Sequence, residues 1–252
     1  MSTLNRFIRL VAVGVAACLG LGATVTVASP IDATYFAISS SDPSYNTMCC
    51  STTGGEVLNT LGPDGLPLYN PAYTGPAIHA ADLHPTGAGS EITWWSPSLN
   101  PHVTQIAAGS TSLPINQTAN FFPCVVNSGY ACNDAQYALA AHYSGRIDVA
   151  TAEPIQFSIG ADDSAFVYID GMLACEVSGV HPYAPESCTT PTTIGAGSHG
   201  FDLFFADLNQ VQSGLKFAIN SAGVTTEVPE PSSLALLAFA TLGAFAARRR
   251  SA

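Results

Sequence analysis

Basic residues are nearly missing from the body of this 252-residue chain. Of seven Lys and Arg, Arg6 and Arg9 precede the first apolar run and Arg248, Arg249 and Arg250 close the chain, which leaves Arg146 and Lys216 between. Sixteen Asp and Glu lie from Asp32 to Asp207. Phosphate backbones are held by clustered Lys and Arg, so nucleic acid is excluded as a partner. Divalent cations are not excluded, although most of these carboxylates read as an acidic, solvated surface. Catalytic signatures are missing too. There is no Gly-x-Ser-x-Gly elbow, no His-Glu-x-x-His and no phosphate loop. A glycosidase needs two separated carboxylates, and no spacing here singles out such a pair. The expectation is that the protein is not an enzyme. No cysteine pair has CxxC spacing, which argues against zinc. No long stretch has a 3.6-residue period, which argues against a helical domain.

What is present is a β pattern. Short apolar runs stand between Gly, Pro, Asn and Ser clusters: Thr34 to Ile38, Ile92 to Trp95, Gln136 to Tyr143, Gln156 to Ile159, Ala165 to Ile169, Gly200 to Ala206 and Leu215 to Ile219. They predict an all-β fold with long connections. Thr53 to Tyr73 reads as loop, with Gly62-Pro63-Asp64-Gly65 as a turn. Asp170-Gly171 after Phe166-Val167-Tyr168-Ile169 is a hairpin signal of type I′. Just before that strand stands Asp162-Asp163. Two adjacent acids fixed between strands repel each other unless a cation sits between them, and calcium takes six to eight oxygens of this kind. The alternative is that the pair caps a turn by side-chain to backbone hydrogen bonds. Other residues read as structural: His181 near the acidic turn, Trp94-Trp95 as core, and His79 and His84, whose pairing would need a helix that Pro85 discourages.

Six cysteines lie between the ends: Cys49, Cys50, Cys124, Cys132, Cys175 and Cys188. An even count in an exported chain argues for disulfides. Cys124 with Cys132 and Cys175 with Cys188 are the simplest local bridges. The adjacent Cys49 and Cys50 could pair elsewhere and rearrange the first of these.

Both ends are addresses. Residues 1–28 predict a secretory signal peptide, with Arg6 and Arg9 as its charged region, an apolar run from Leu10 to Val27, and cleavage before Ser29. Val15-Ala16-Ala17-Cys18 has the form of a lipoprotein box, but the apolar run continues nine residues beyond Cys18. At residues 225–252, Pro229-Glu230-Pro231 is followed by the fourteen apolar residues Leu234 to Ala247 and then by three arginines. As a helix, that run spans ~21 Å against a hydrocarbon core of ~30 Å, and predicts a short transmembrane helix with its basic end in the cytoplasm.

Triplet, short span and basic tail, in that order, resemble the PEP-CTERM sorting signal. The resemblance implies a Gram-negative bacterium, export, processing by an exosortase near Pro229, Glu230 and Pro231, and transient or permanent membrane anchoring through the C-terminal helix. Residues 29–224 resemble a fibro-slime domain of the protective-antigen-type β-sandwich superfamily. The resemblance is carried by Asp162-Asp163-Ser164, Phe166 to Gly171, Gly179-Val180-His181, Gly197 to Ala206 and Ser213 to Phe217, with Leu61 to Pro67, Trp94-Trp95 and Asn120 to Pro123 upstream. The chain departs from that pattern at Ala165, where the family commonly has a bulky aromatic, and at Asp207-Leu208, where it often has an acid followed by a base. The implied fold is an antiparallel, jelly-roll-like sandwich with long loops and disulfides. In sugar-binding relatives the adjacent acids hold calcium, which here would be ligated by Asp162 and Asp163. The implied function is calcium-assisted recognition of an extracellular polysaccharide at the cell surface or in the extracellular matrix. The alternative is a structural matrix or adhesion protein with neither metal nor sugar site.

Overall fold

The computed structural model describes residues 31–45, 54–76, 78–117, 137–209 and 213–226. The expected signal peptide, Cys18, Cys49, Cys50, Cys124, Cys132 and the sorting segment lie outside these residues.

Two antiparallel sheets face each other. The larger runs, edge to edge, β4 (Leu83–Thr86), β5 (Gly89–Ile92), β3 (Pro67–Tyr69), β2 (Val57–Leu61), β11 (Met172–Val177), β10 (Ser164–Ile169), β13 (Gly197–Asp207), β8 (Tyr137–Val149), β1 (Ile31–Ser39) and β6 (Val103–Thr111). A short β15 (Val224–Thr226) continues the β1 side of β8. The smaller sheet runs β12 (Ala184–Thr189), β9 (Gln156–Asp162), β14 (Gly214–Ile219) and β7 (Ile115–Gln117). The expected antiparallel sandwich is what forms.

Alternation builds the layer between the sheets. Phe157, Ile159 and Ala161 of β9 and Leu215 and Phe217 of β14 point one way. They meet Ala165, Val167 and Ile169 of β10 and Phe201, Leu203 and Phe205 of β13. Each large apolar side chain removed from water contributes roughly 1.5–3 kcal/mol. β10 itself does not alternate: all six of its residues are buried. Its other face, with Phe166 and Tyr168, lies under a second core made with Phe204, Trp94, Trp95, Ile92, Leu66 and Tyr45. A strand covered on both faces has no polar side to show, which is why Ser164 to Ile169 reads as a continuous apolar run.

Two readings of the covering segment change. Thr53 to Tyr73 is not all loop, since it holds β2 and β3 around the expected turn, where Gly65 N–H donates to the Gly62 carbonyl at 3.0 Å. The Ile92 to Trp95 strand stops at Ile92. Trp94 and Trp95 sit in a turn, which lets both rings go inward rather than to opposite sides. Trp95 Nε1 donates to the Phe205 carbonyl at 2.8 Å and its ring meets that of Phe204 edge-on at 5.1 Å. Asp170-Gly171 forms the hairpin between β10 and β11 with φ of 50° and 73°, both left-handed as a type I′ turn requires.

Cys175 on β11 bonds Cys188 on β12, with Cα atoms 6.0 Å apart, joining the two sheets. Closing a loop of this length stabilises by about 3 kcal/mol. The expected transmembrane helix is corrected. No helix of the described residues is long and apolar enough to cross a membrane, because apolar residues here recur with the two-residue period of strands and the helical element is the 3-10 turn Ala80–Asp82. The Leu234 to Ala247 run lies outside the described residues.

Candidate functional site

The chain passes from the small sheet to the large one within a single residue. β9 ends at Asp162, opposite Gly214 of β14, and β10 begins at Ser164, opposite Ala206 of β13. Asp163 is the link, joined to Asp162 by a cis peptide. Because Ser164 faces Ala206, the next residue of β13, Asp207, arrives beside Asp163. One carboxylate oxygen from each of Asp162, Asp163 and Asp207 lies within 4.8 Å of the others, and all three residues are buried.

Backbone donors orient the middle acid. Asp163 Oδ1 accepts from the N–H of His181 at 2.9 Å and Oδ2 from that of Leu208 at 2.8 Å. Burial pushes the Asp163 carboxyl up to about 7, with Asp162 adding to the rise and the two N–H groups opposing it. Asp207 accepts from the N–H of Asn209 at 3.2 Å. Behind the triad, Glu56 Oε2 accepts from Ser164 Oγ and from Gly179 N–H, both at 2.9 Å, and burial lifts this acid to about 7 as well.

The structure sets Asp162 and Asp163 side by side at the crossing, and His181 serves Asp163 through its backbone N–H. Its ring nitrogen Nδ1 is engaged by the Pro182 carbonyl at 2.8 Å. The third acid was not read as a partner. Asp207 is 44 residues from Asp163, and only the pairing of β10 with β13 brings it in. His79 and His84 form no pair: Ala81 N–H donates to His79 Nδ1 and His84 faces Asp64 at 3.8 Å.

The donor set fits a hard cation. Three carboxylates offer only oxygen, and oxygens that share a calcium ion lie no more than about 5.2 Å apart, a limit that the 4.8 Å here meets. The cross-linked turn at Gly179 to His181 and the bend after Asp207 border the same point.

Residues 227–250 match the PEP-CTERM protein-sorting motif. The protein is therefore exported, and carries the signal for exosortase processing. A comparison with curated proteins finds no match. Among solved structures, the chain is similar to a PA14 sugar-binding domain from an RTX adhesin, at 13% identity and TM-score 0.42, covering 80% of this chain and 94% of that one. It is also similar to the Epithelial Adhesin 9 A domain of Candida glabrata in complex with Galb1-4GlcNAc, at 12% identity and TM-score 0.36, covering 78% and 85%. A GH31 alpha-xylosidase from Xanthomonas citri is similar at 16% identity and TM-score 0.35 over 50% of this chain, which spans 14% of the xylosidase. These scores are low, and nothing those proteins bind or cleave transfers from the likeness.

Proposed function

We propose that residues 29–224 form a fibro-slime-type module, freed from a signal peptide at 1–28, that recognises carbohydrate with the help of calcium outside the cell. The observation that carries the reading is the triad: three buried carboxylates converge within 4.8 Å at a crossing between sheets. Bringing three like charges together out of water is unfavourable, and a divalent cation offsets it. Asp162, Asp163 and Asp207 would hold the ion, and the ion would supply open coordination positions for sugar hydroxyls. Hydrogen bonds from His181 and Leu208 fit a ligand role as well, since ligating carboxylates are held by donors around them. Exosortase processing near Pro229, Glu230 and Pro231 would then deliver the module to the cell surface or matrix of a Gram-negative bacterium.

A second reading has its own observation. Both oxygens of Asp163 already cap backbone N–H groups, which suits a structural matrix protein with no metal. Calorimetric titration of the purified protein with calcium separates the two. Binding that disappears in Asp162→Asn, together with glycan-array signals that vanish in EDTA, supports calcium-assisted recognition. An absence of calcium binding to the unaltered protein leaves the structural reading.

A further inference from the structure

A second recess lies on the other side of the small sheet from the core. It encloses about 590 Å³ and is walled by Pro114, Asn116, Ser158, Tyr183, Lys216 and Ala218. Alternation puts it there: Phe157 and Ile159 of β9 and Phe217 of β14 go inward, so Ser158, Lys216 and Ala218 go outward. Gly160 lets Tyr183 lie down on the sheet, since a Cβ at that position would stand 2.6 Å from Tyr183 Cζ. Lys216 Nζ sits 5.7 Å from the centre of the Tyr183 ring.

The donors in this recess are uncommitted. Lys216 makes no ion pair with the described residues, and neither the Tyr183 hydroxyl nor the Asn116 amide makes a hydrogen bond with them. Ser158 Oγ accepts from Asn220 Nδ2 at 2.7 Å and keeps its own hydrogen to donate. In a body with two bases, one of them faces this recess. We propose that it is a binding subsite for a carboxylated saccharide of the uronate type. Lys216 meets the carboxylate, and Tyr183, Asn116 and Ser158 hydrogen-bond the ring hydroxyls. Pro114 and Ala218 give apolar surface to the ring carbons.

Two features favour a sugar over an acidic peptide. Extended peptides are captured by adding a strand to a sheet edge, whereas the floor of this recess is β9 and β14, whose backbone groups are spent in pairing with β12, with each other and with β7. The lining also sets small polar donors around a single cation beside its apolar surface, the mix that orients a small ligand. The subsite is separate from the acid triad and stands or falls without calcium.

The test uses the full purified protein in EDTA, with trigalacturonate as the probe and its methyl ester as the uncharged counterpart. Calorimetry is expected to show binding of the acid, at least tenfold weaker binding of the ester, and at least tenfold weaker binding of the acid by Lys216→Gln. Tyr183→Phe is expected to weaken it several-fold. Lys216 is exposed, so an unchanged melting temperature confirms that Lys216→Gln folds. Ser158→Glu, which sets a negative charge in the recess, gives an independent loss. Equal binding of acid and ester, full binding by Lys216→Gln, or a hexaglutamate peptide binding as tightly as trigalacturonate overturns the proposal. Loss of calcium binding in other experiments does not bear on it.

Discussion

Two groups of buried acids in this protein look alike in burial and differ in company. In the segment that covers the large sheet, Asp42 and Asp82 are buried around Asn100. The Asn100 amide donates to Asp82 Oδ1 at 3.0 Å and to Asp42 Oδ2 at 3.3 Å, and Ser44 donates its hydroxyl to the other oxygen of Asp82. The Ser44 N–H donates to Asp42 at 2.9 Å. At the sheet crossing, Asp162, Asp163 and Asp207 face one another. Burial alone does not make a site. In the first group Asp42 also lies against Asp82, but a shared neutral amide and a hydroxyl tie the two off, so it works as a structural knot. The second brings three acids together with no side-chain amide between them, which is the arrangement a cation relieves.

The largest expected effect tests the knot. Asn100→Ala leaves two buried carboxylates without their shared donor and should cost about 3 kcal/mol, read as a lower urea midpoint with calcium binding intact. If calcium affinity falls instead and stability holds, the two groups have been assigned the wrong way round.

Titration compares them next. Burial raises Asp82 to about 6 and Glu56, behind the triad, to about 7. Their folded values lie above the unfolded ones, so the folded state binds more protons than the unfolded between those limits. Their contribution is full below about pH 4 and is lost as pH rises through 6 to 7. In EDTA the melting temperature should fall between pH 5 and pH 8, on the order of 5 °C for about 2 kcal/mol. Calcium at pH 8 should not restore the part due to Asp82 and Glu56, since neither is in the triad. Full restoration would mean that calcium also enters the Asp42–Asp82 knot.

Asp207→Asn removes one charge from the triad and keeps its shape. Calcium affinity should drop at least tenfold, about 1.4 kcal/mol, while the melting temperature in EDTA stays level or rises. A drop in both would make Asp207 a structural acid. The smallest effect is Ser44→Ala, about 1 kcal/mol from one lost donor on Asp82, seen in the urea midpoint and absent from calcium titration.

Much of the fold was legible because strands announce themselves locally. Phe157, Ile159, Leu215 and Phe217 alternate, and Asp170-Gly171 can be little other than a hairpin. Thr53 to Tyr73 was less legible, since β2 and β3 are short and the turn residues between them dominate. Trp94-Trp95 misled because β-propensity favours strand there, while burial of both rings, with Trp95 against Phe204 and Phe166, favours the turn. In the site, the adjacent acids could be found from the chain. His181 could be named beside them as well, but Asp207 and Leu208 could not, because they are distant in sequence and meet Asp163 through strand pairing.

The sequence by itself determined the C-terminal sorting motif, the strand class and the adjacency of Asp162 to Asp163, since each rests on neighbouring residues. Tertiary structure alone decided that Ser164 pairs with Ala206 and so brings Asp207 to the pair. It also decided that Asp42 and Asp82 share an asparagine and that Lys216 and Tyr183 open onto one recess. The first and last depend on register between distant strands, and a register shifted by one residue would turn Asp207 and Lys216 to the opposite face, while the second depends on turns brought together from distant parts of the chain.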